Sequence, residues 1–131
     1  MKKYLVSLFA FLCICTTALS AEDWTKFEDN VYIARGAIKK ISPESYFIKI
    51  KILNTKTDSV SDIAYTIIEE TIDCKNNKLI PESVALYSSD GKLLGKRNKN
   101  EISQKSQEIK PEFIEAKMKP KICSGKWVNK P

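Results

Sequence analysis

Two cysteines constrain the fold of this chain more than any other pair of its residues. The sequence holds four, and two of them, Cys13 and Cys15, lie in the N-terminal segment, which leaves Cys74 and Cys123 in the rest of the chain. An even pair in a small exported chain favours a disulfide bond, although free or catalytic thiols stay open at this point. On the chain-entropy model, closing a loop of about 50 residues stabilises a fold by roughly 4 kcal/mol.

The N-terminal segment MKKYLVSLFAFLCICTTALS has the features of a secretory signal peptide. Two lysines precede an apolar stretch, Tyr4 to Thr17. This stretch is too short to span a membrane, which takes about 20 residues. The small residues Ala18 and Ser20 follow it and suit a signal peptidase. We therefore predict a signal peptide at residues 1–20 and one exported domain at residues 21–131, with no membrane span after cleavage.

Two other fates of this segment stay open. It could remain attached as an uncleaved anchor, or it could be lipidated at Cys13 or Cys15. Lipidation is disfavoured because the bulky residues Leu12 and Ile14 precede these cysteines, where a small residue is required.

The absence of histidine excludes several kinds of catalytic and metal-binding site. Without histidine a cysteine–histidine dyad cannot form, and two cysteines make a poor zinc site. Glu69, Glu70 and Asp73 cluster on one strand-like run, but alternation sends Glu69 and Glu70 to opposite faces. We expect no second acidic cluster to face them, which argues against glycoside hydrolysis. We therefore predict a protein that is not an enzyme and that holds no cofactor and no metal.

The apolar pattern predicts an antiparallel sheet. Alternate residues of the run from Tyr46 to Ile52 are apolar, as in a sheet covered on one side. The run from Ala64 to Cys74 is rich in threonine and isoleucine, and its alternation turns Glu70 inward, so we expect a β-bulge or an edge strand there. Further strands are expected at 31–41, 83–88 and, more weakly, 93–99, in a meander of about six strands.

Turn and helix signals complete the predicted architecture. Asp90-Gly91 is typical of a tight hairpin. Pro111 to Pro120 predicts a short helix that begins at the first proline and ends at the second, with an apolar stripe that includes Met118. The predicted fold class is α+β: an antiparallel sheet with one short C-terminal helix packed on it. A disulfide bond between Cys74 and Cys123 would attach that helix to the sheet.

The basic residues concentrate at the C-terminal end. Residues 91–131 carry 11 basic and 4 acidic side chains, whereas residues 22–90 carry 9 and 12. A surface built from these cations could attract acidic proteins, sulfated glycans or anionic headgroups, or it could be a solvated face that only aids solubility. Nucleic acid is not an expected partner, because aromatic and basic residues do not interleave. The candidate residues are Lys92, Lys96, Arg97, Lys99, Lys117, Lys119 and Lys121.

Several of these segments together resemble the bacterial surface-adhesin E-like domain. The similar segments begin at Trp24 and end at Cys123, and they are VYIARGAIKKI, YFIKIKIL, EETIDC, LYSSDGK and EIKPEFIEAKMKPKIC. The individual residues that match are Ile72, Asp73, Cys74, Pro111, Ile114 and Cys123. The resemblance covers nearly all of the chain that follows the predicted signal peptide.

The resemblance implies both a fold and a class of function. It implies an antiparallel sheet of about six strands under one helix, exposed at a Gram-negative cell surface or in the periplasm. The founding adhesin binds host matrix and serum proteins such as laminin, vitronectin and plasminogen. The expected function is therefore non-catalytic binding at the cell surface or in the envelope, and adhesion to such host proteins is its more specific form. The alternative is a periplasmic accessory or inhibitor protein without a host ligand. Open sheet edges could also pair two copies into a homodimer.

Overall fold

One antiparallel sheet and one helix form the part of the chain that the computed structural model describes, residues 23–55 and 62–128. The predicted fold class is thereby confirmed. The predicted signal peptide, with Cys13 and Cys15, lies outside the described residues. The elements are β1 (Trp24–Glu28), β2 (Val31–Ala34), β3 (Lys39–Ser42), β4 (Ser45–Leu53), β5 (Tyr65–Asp73), β6 (Lys78–Tyr87), β7 (Leu93–Asn98), β8 (Gln107–Glu108) and α1 (Ile114–Cys123).

The sheet is a meander, as predicted. Its main path has the order β1-β2-β4-β5-β6-β7, while β3 pairs with β4 and β8 pairs with β6. Sequence patterns missed β1 and β8. They also predicted one strand over 31–41, which is wrong because a 3-10 turn at Arg35–Ala37 separates β2 from β3. Gly36 lies in that turn, where a residue without a side chain weakens a strand.

The centre of the sheet contains the predicted irregularity at Glu70. The pairing of β5 with β6 shifts register between Glu69 and Glu70, which confirms the bulge, but β5 is an inner strand and the alternative edge position is wrong. Pro81 lies opposite Glu70, between the part of β6 that pairs with β8 and the part that pairs with β7. Proline is tolerated there because its missing N–H breaks no ladder bond on that side.

The core lies between α1 and one face of the sheet. Glu115, Met118 and Ile122 are the buried residues of α1, and their spacing places them on one side of the helix. The buried residues of β4 alternate with half-buried ones, so only one face of β4 meets the core. The largest fully buried side chains are Ile33, Ile48, Ile50, Ile72, Met118 and Ile122.

The helix lies further along the chain than its prolines predict. The expected helix from Pro111 to Pro120 is wrong at both ends, since α1 begins at Ile114 and contains Pro120 in its interior. An interior proline removes one hydrogen bond and crowds the carbonyl four residues earlier. The burial of Met118 and Ile122, together with the attachment of Cys123 at the end of α1, offsets this cost.

The predicted disulfide bond is present and joins the helix to the sheet. Cys74 directly follows β5 and Cys123 is the last residue of α1, with their Cα atoms 6.0 Å apart. The turn after Cys74 is ordered by Asp73, whose carboxylate accepts hydrogen bonds from the backbone N–H groups of Lys75 and Asn76, both at 3.1 Å. The bonds from Asn76 and the nearby charge of Lys75 lower the pKa of Asp73.

Removing the disulfide tests how much of the stability depends on it. Replacing both cysteines, Cys74→Ser with Cys123→Ser, should lower the free energy of unfolding by roughly 4 kcal/mol, because the unfolded chain regains the freedom of a closed loop. Urea unfolding followed by circular dichroism measures the loss. Dithiothreitol should destabilise the wild-type protein and leave the double variant unchanged. Equal urea midpoints for the two proteins would contradict the expectation.

Candidate functional site

The structure does not bring the seven predicted cations together. The β7 basic group, at the edge strand β7, consists of Lys92, Lys96, Arg97 and Lys99, and the helix basic group consists of Lys117, Lys119 and Lys121. Lys117 reaches Glu28 of β1, at the opposite edge of the sheet, with 3.1 Å between Nζ and Oε2. Six strands at about 4.8 Å spacing put the two edges about 24 Å apart. Binding by either group stays a prediction.

The helix basic group contacts other parts of the chain. Besides the ion pair of Lys117, the ammonium of Lys119 donates a hydrogen bond of 2.7 Å to the side-chain oxygen of Asn77. The ammonium of Lys121 lies 5.3 Å from the ring centroid of Trp127 and 5.7 Å from that of Phe27, within the range of a cation–π contact. These lysines therefore help to hold α1 and the residues after it against the sheet.

The β7 basic group is less engaged. Lys99 forms an ion pair of 3.6 Å with Glu82. Neither Lys96 nor Arg97 forms an ion pair with any described residue. Both side chains belong to exposed residues. Of the two groups, the one on β7 therefore has more positive charge available to a partner.

Four side chains form a row across the face that the helix leaves open. Leu53 of β4 pairs with Tyr65 of β5, Tyr65 pairs with Tyr87 of β6, and Tyr87 pairs with Leu93 of β7. Leu53 lies an odd number of positions from the buried Ile48 and Ile50, so this cross-strand row points away from the core. Opposite residues of neighbouring strands contact directly, so the row is continuous over four strands.

The cross-strand row is held by aromatic and cation–π contacts. The rings of Tyr65 and Tyr87 stack with their centroids 5.0 Å apart at an angle of 10°. The ammonium of Lys51 lies 4.4 Å from the Tyr65 centroid and 5.7 Å from that of Trp24. Both tyrosines stay partly exposed, and Leu93 is 48% exposed. Tyrosine and tryptophan are enriched at the centres of protein interfaces, so this composition suits protein binding.

Sequence patterns did not find this row. They predicted that Tyr87, Phe113 and Trp127 are packing groups, which is confirmed for Trp127 by its edge contact with Phe27 at 5.8 Å. Tyr87 also packs, but against a partly exposed tyrosine. The available signal was the Asp90-Gly91 turn, because a tight hairpin there places Tyr87 near Leu93 in register.

A buried pair of carboxyl groups lies between the helix and the sheet. Glu70 of β5 is 3% exposed and Glu115 of α1 is 8% exposed, and their side chains share a hydrogen bond. One acidic side chain, Glu115, therefore faces Glu70, rather than a second acidic cluster. No local sequence pattern predicts this contact, because the two residues meet only when the helix docks. Both groups are covered, so a substrate would reach them only if α1 moved.

Because Glu70 is buried, it is the protonated carboxyl group of this pair. Desolvation, the hydrogen bond to Glu115 and the charge of Glu115 raise the pKa of Glu70 to about 10. Glu115 lies in the first turn of α1, where the helix dipole favours a negative charge. At neutral pH, protonated Glu70 thus donates to Glu115. The Oε1 atom of Glu70 has no hydrogen-bond partner in the described structure, so the pair reduces stability but positions the helix.

The structure describes residues 23–55 and 62–128. Within these ranges, no group of three or more histidine, cysteine, aspartate or glutamate residues is arranged to hold a metal ion. None of the described helices has the length and apolar character that crossing a bilayer requires.

The fold is similar to that of a solved bacterial protein. The crystal structure of protein E from non-typeable Haemophilus influenzae has a TM-score of 0.60 and 12% sequence identity to this chain, with 86% of this chain and 85% of that chain covered. Neither a protein-family model nor a curated protein matches the sequence. At such low identity the similarity extends to the fold alone, which agrees with the architecture that the sequence resemblance implied.

The buried carboxyl pair predicts a pH dependence of stability. The unfolded chain releases the Glu70 proton near pH 4.5, whereas the folded chain holds it up to about pH 10. The free energy of unfolding should therefore fall as pH rises between these values, by up to about 1.4 kcal/mol per pH unit. Glu70→Gln should remove this slope, and Glu69→Gln, on the opposite face, should keep it. Urea unfolding between pH 5 and pH 9 measures both, and parallel slopes in the two variants would contradict the assignment.

The stacked tyrosines predict an energetic coupling across the sheet. In a double-mutant cycle of Tyr65→Leu and Tyr87→Leu, the coupling free energy should be about 0.5–1.5 kcal/mol, because a stacked pair is worth that much beyond the buried area. Chemical denaturation of the four proteins measures it. Strictly additive effects would show that the rings are neighbours without mutual stabilisation.

Proposed function

We propose that this protein is an exported, non-catalytic domain that binds protein partners in the bacterial envelope or at the cell surface. The cross-strand row of Leu53, Tyr65, Tyr87 and Leu93 is the observation that carries the proposal. It offers aromatic and apolar side chains on a sheet face that α1 does not cover. Adhesion to host matrix or serum proteins is the finer form of the proposal, which the sequence resemblance supports.

Export is supported by the covalent link and by the N-terminal sequence. Disulfide bonds persist in oxidising compartments and are rare in the bacterial cytosol, and Cys74 and Cys123 are joined. The predicted signal peptide at residues 1–20 would carry the chain there. A thiol assay on unreduced protein that is taken from outside the cytoplasm should find no free thiol at these two positions.

Binding, rather than catalysis, fits the arrangement of charged groups. The close carboxyl pair, Glu70 and Glu115, lies under the helix, out of reach of a substrate. The cross-strand row instead presents rigid side chains that bury much area at a small entropic cost. Tyrosine rings act in this way at many interfaces. The non-catalytic role stays part of the proposal.

Site-specific photo-crosslinking in intact cells tests the proposed binding face. A photoreactive phenylalanine analogue at position 87, within the row, should give covalent adducts of defined mass with a protein partner. Ile41 is the matched control, because it is 58% exposed and apolar but lies on β3, outside the row. Its photoreactive variant should give none. Equal adduct patterns at both positions, or no adduct at position 87, would count against the row as the binding face.

The same cells distinguish a protein at the cell surface from a protein in the periplasm. Protease added to whole cells should degrade a surface-exposed protein, as the adhesin form of the proposal requires. Survival of the protein, with adducts still formed at position 87, would instead favour the periplasmic accessory role.

A further inference from the structure

The outer side of β7 is an open edge of the sheet. β7 is the last strand of the main path and, among the described residues, it pairs only with β6. An edge strand has N–H and C=O groups that point away from its neighbour without a ladder partner. An extended peptide can add to such an edge through main-chain hydrogen bonds, while pockets for alternate side chains provide specificity.

The side chains of β7 place positive charge on both sides of this edge. Lys96 is in register with Ala85, and Arg97 is in register with Val84. Adjacent strand residues point to opposite faces, so Lys96 lies on the helix-free face and Arg97 on the helix-side face. A strand added along β7 would therefore meet a cation on each of its own faces.

Apolar surface accompanies the charge. Leu93 and Leu94 are 48% and 43% exposed, two of the three most exposed large apolar residues of the described structure. Gly95 has open space where a side chain would lie. An open cavity of ≈ 430 Å³ borders it, with Val84, Leu86 and Arg97 in its lining. This cavity has room for an apolar side chain of an added strand.

We propose that the outer edge of β7 binds an extended, acidic segment of a partner protein, which joins the sheet as an additional strand. The acidic side chains pair with Lys96 and Arg97, and the apolar ones cover Leu93 and the cavity beside Gly95. This inference rests on the proposed function, because Leu93 belongs both to β7 and to the cross-strand row. The edge thus extends the same binding face.

The charges argue against the other occupants of the edge. A second copy of this chain that paired edge to edge would bring its own Lys96 and Arg97 close to these cations, and like charges oppose such pairing. A sulfated glycan would gain from the cations, but it would use neither the exposed leucines nor the open main chain. An acidic peptide strand uses all three features.

Fluorescence anisotropy with a labelled peptide tests the proposal on the full exported chain. The probe is a fluorescein-labelled peptide of about eight glutamate and valine residues, long enough to span a strand. Lys96→Ala with Arg97→Ala should weaken its binding by about tenfold, as expected for the loss of two exposed charge pairs. The matched control is Lys39→Ala with Lys40→Ala, an equal loss of charge at exposed residues of β3, which should leave the affinity unchanged. Equal weakening in both double variants would overturn the proposal.

A backbone-methylated peptide separates strand addition from simple charge attraction. Methylation of every amide nitrogen keeps every side chain but removes the N–H donors on both edges of the peptide, so binding should fall to the background level. Undiminished binding of the methylated peptide would overturn the proposal. If that methylated peptide were also displaced by a heparin oligosaccharide that binds Lys96 and Arg97, the edge would be a glycan site instead.

The peptide-binding experiment and the crosslinking experiment can fail independently of each other. Crosslinking at position 87 tests the cross-strand row in cells, whereas the peptide assay tests only the edge of β7. A protein that forms adducts at position 87 but ignores the acidic peptide would refute the edge proposal and leave the proposed function intact.

Discussion

The covalent attachment of α1 to the end of β5 is the constraint on which the rest of this structure depends. A helix of ten residues is marginal by itself, and Pro120 weakens it further. The bond between Cys74 and Cys123 keeps the helix beside the sheet, so that Met118 and Ile122 become fully buried. The core exists because this short element cannot move away from the strands.

The docked helix also explains the unusual chemistry inside the core. Glu115 lies in the first turn of α1, and docking brings it to Glu70 of β5, beside the register shift between β5 and β6. Two carboxyl groups in an apolar interior are tolerated only when they share a proton. Their contact links the N-terminal end of the helix to the sheet, while the disulfide links the C-terminal end. Position is therefore determined at both ends by groups that contribute little apolar area.

The helix covers one face of the sheet and leaves the other open for the proposed binding. The cross-strand row runs from β4 to β7 on the open face and ends at Leu93, where the open edge of β7 begins. The cations of the C-terminal end have two separate roles. Lys117, Lys119 and Lys121 contact their own chain, whereas Lys96 and Arg97 place positive charge along the edge strand β7, on opposite faces of the sheet.

The sequence by itself determined the elements whose signals are local. Alternation in β4, the Asp90-Gly91 turn, the bulge at Glu70 and the pairing of Cys74 with Cys123 all follow from neighbouring residues or from counting cysteines. Only the tertiary structure decided that Pro120 lies within the helix, that Glu115 meets Glu70 and that the lysines divide between the helix and the edge strand β7. These features depend on contacts between residues far apart in the chain, and packing free energy there exceeds the local preference of a proline or a charge.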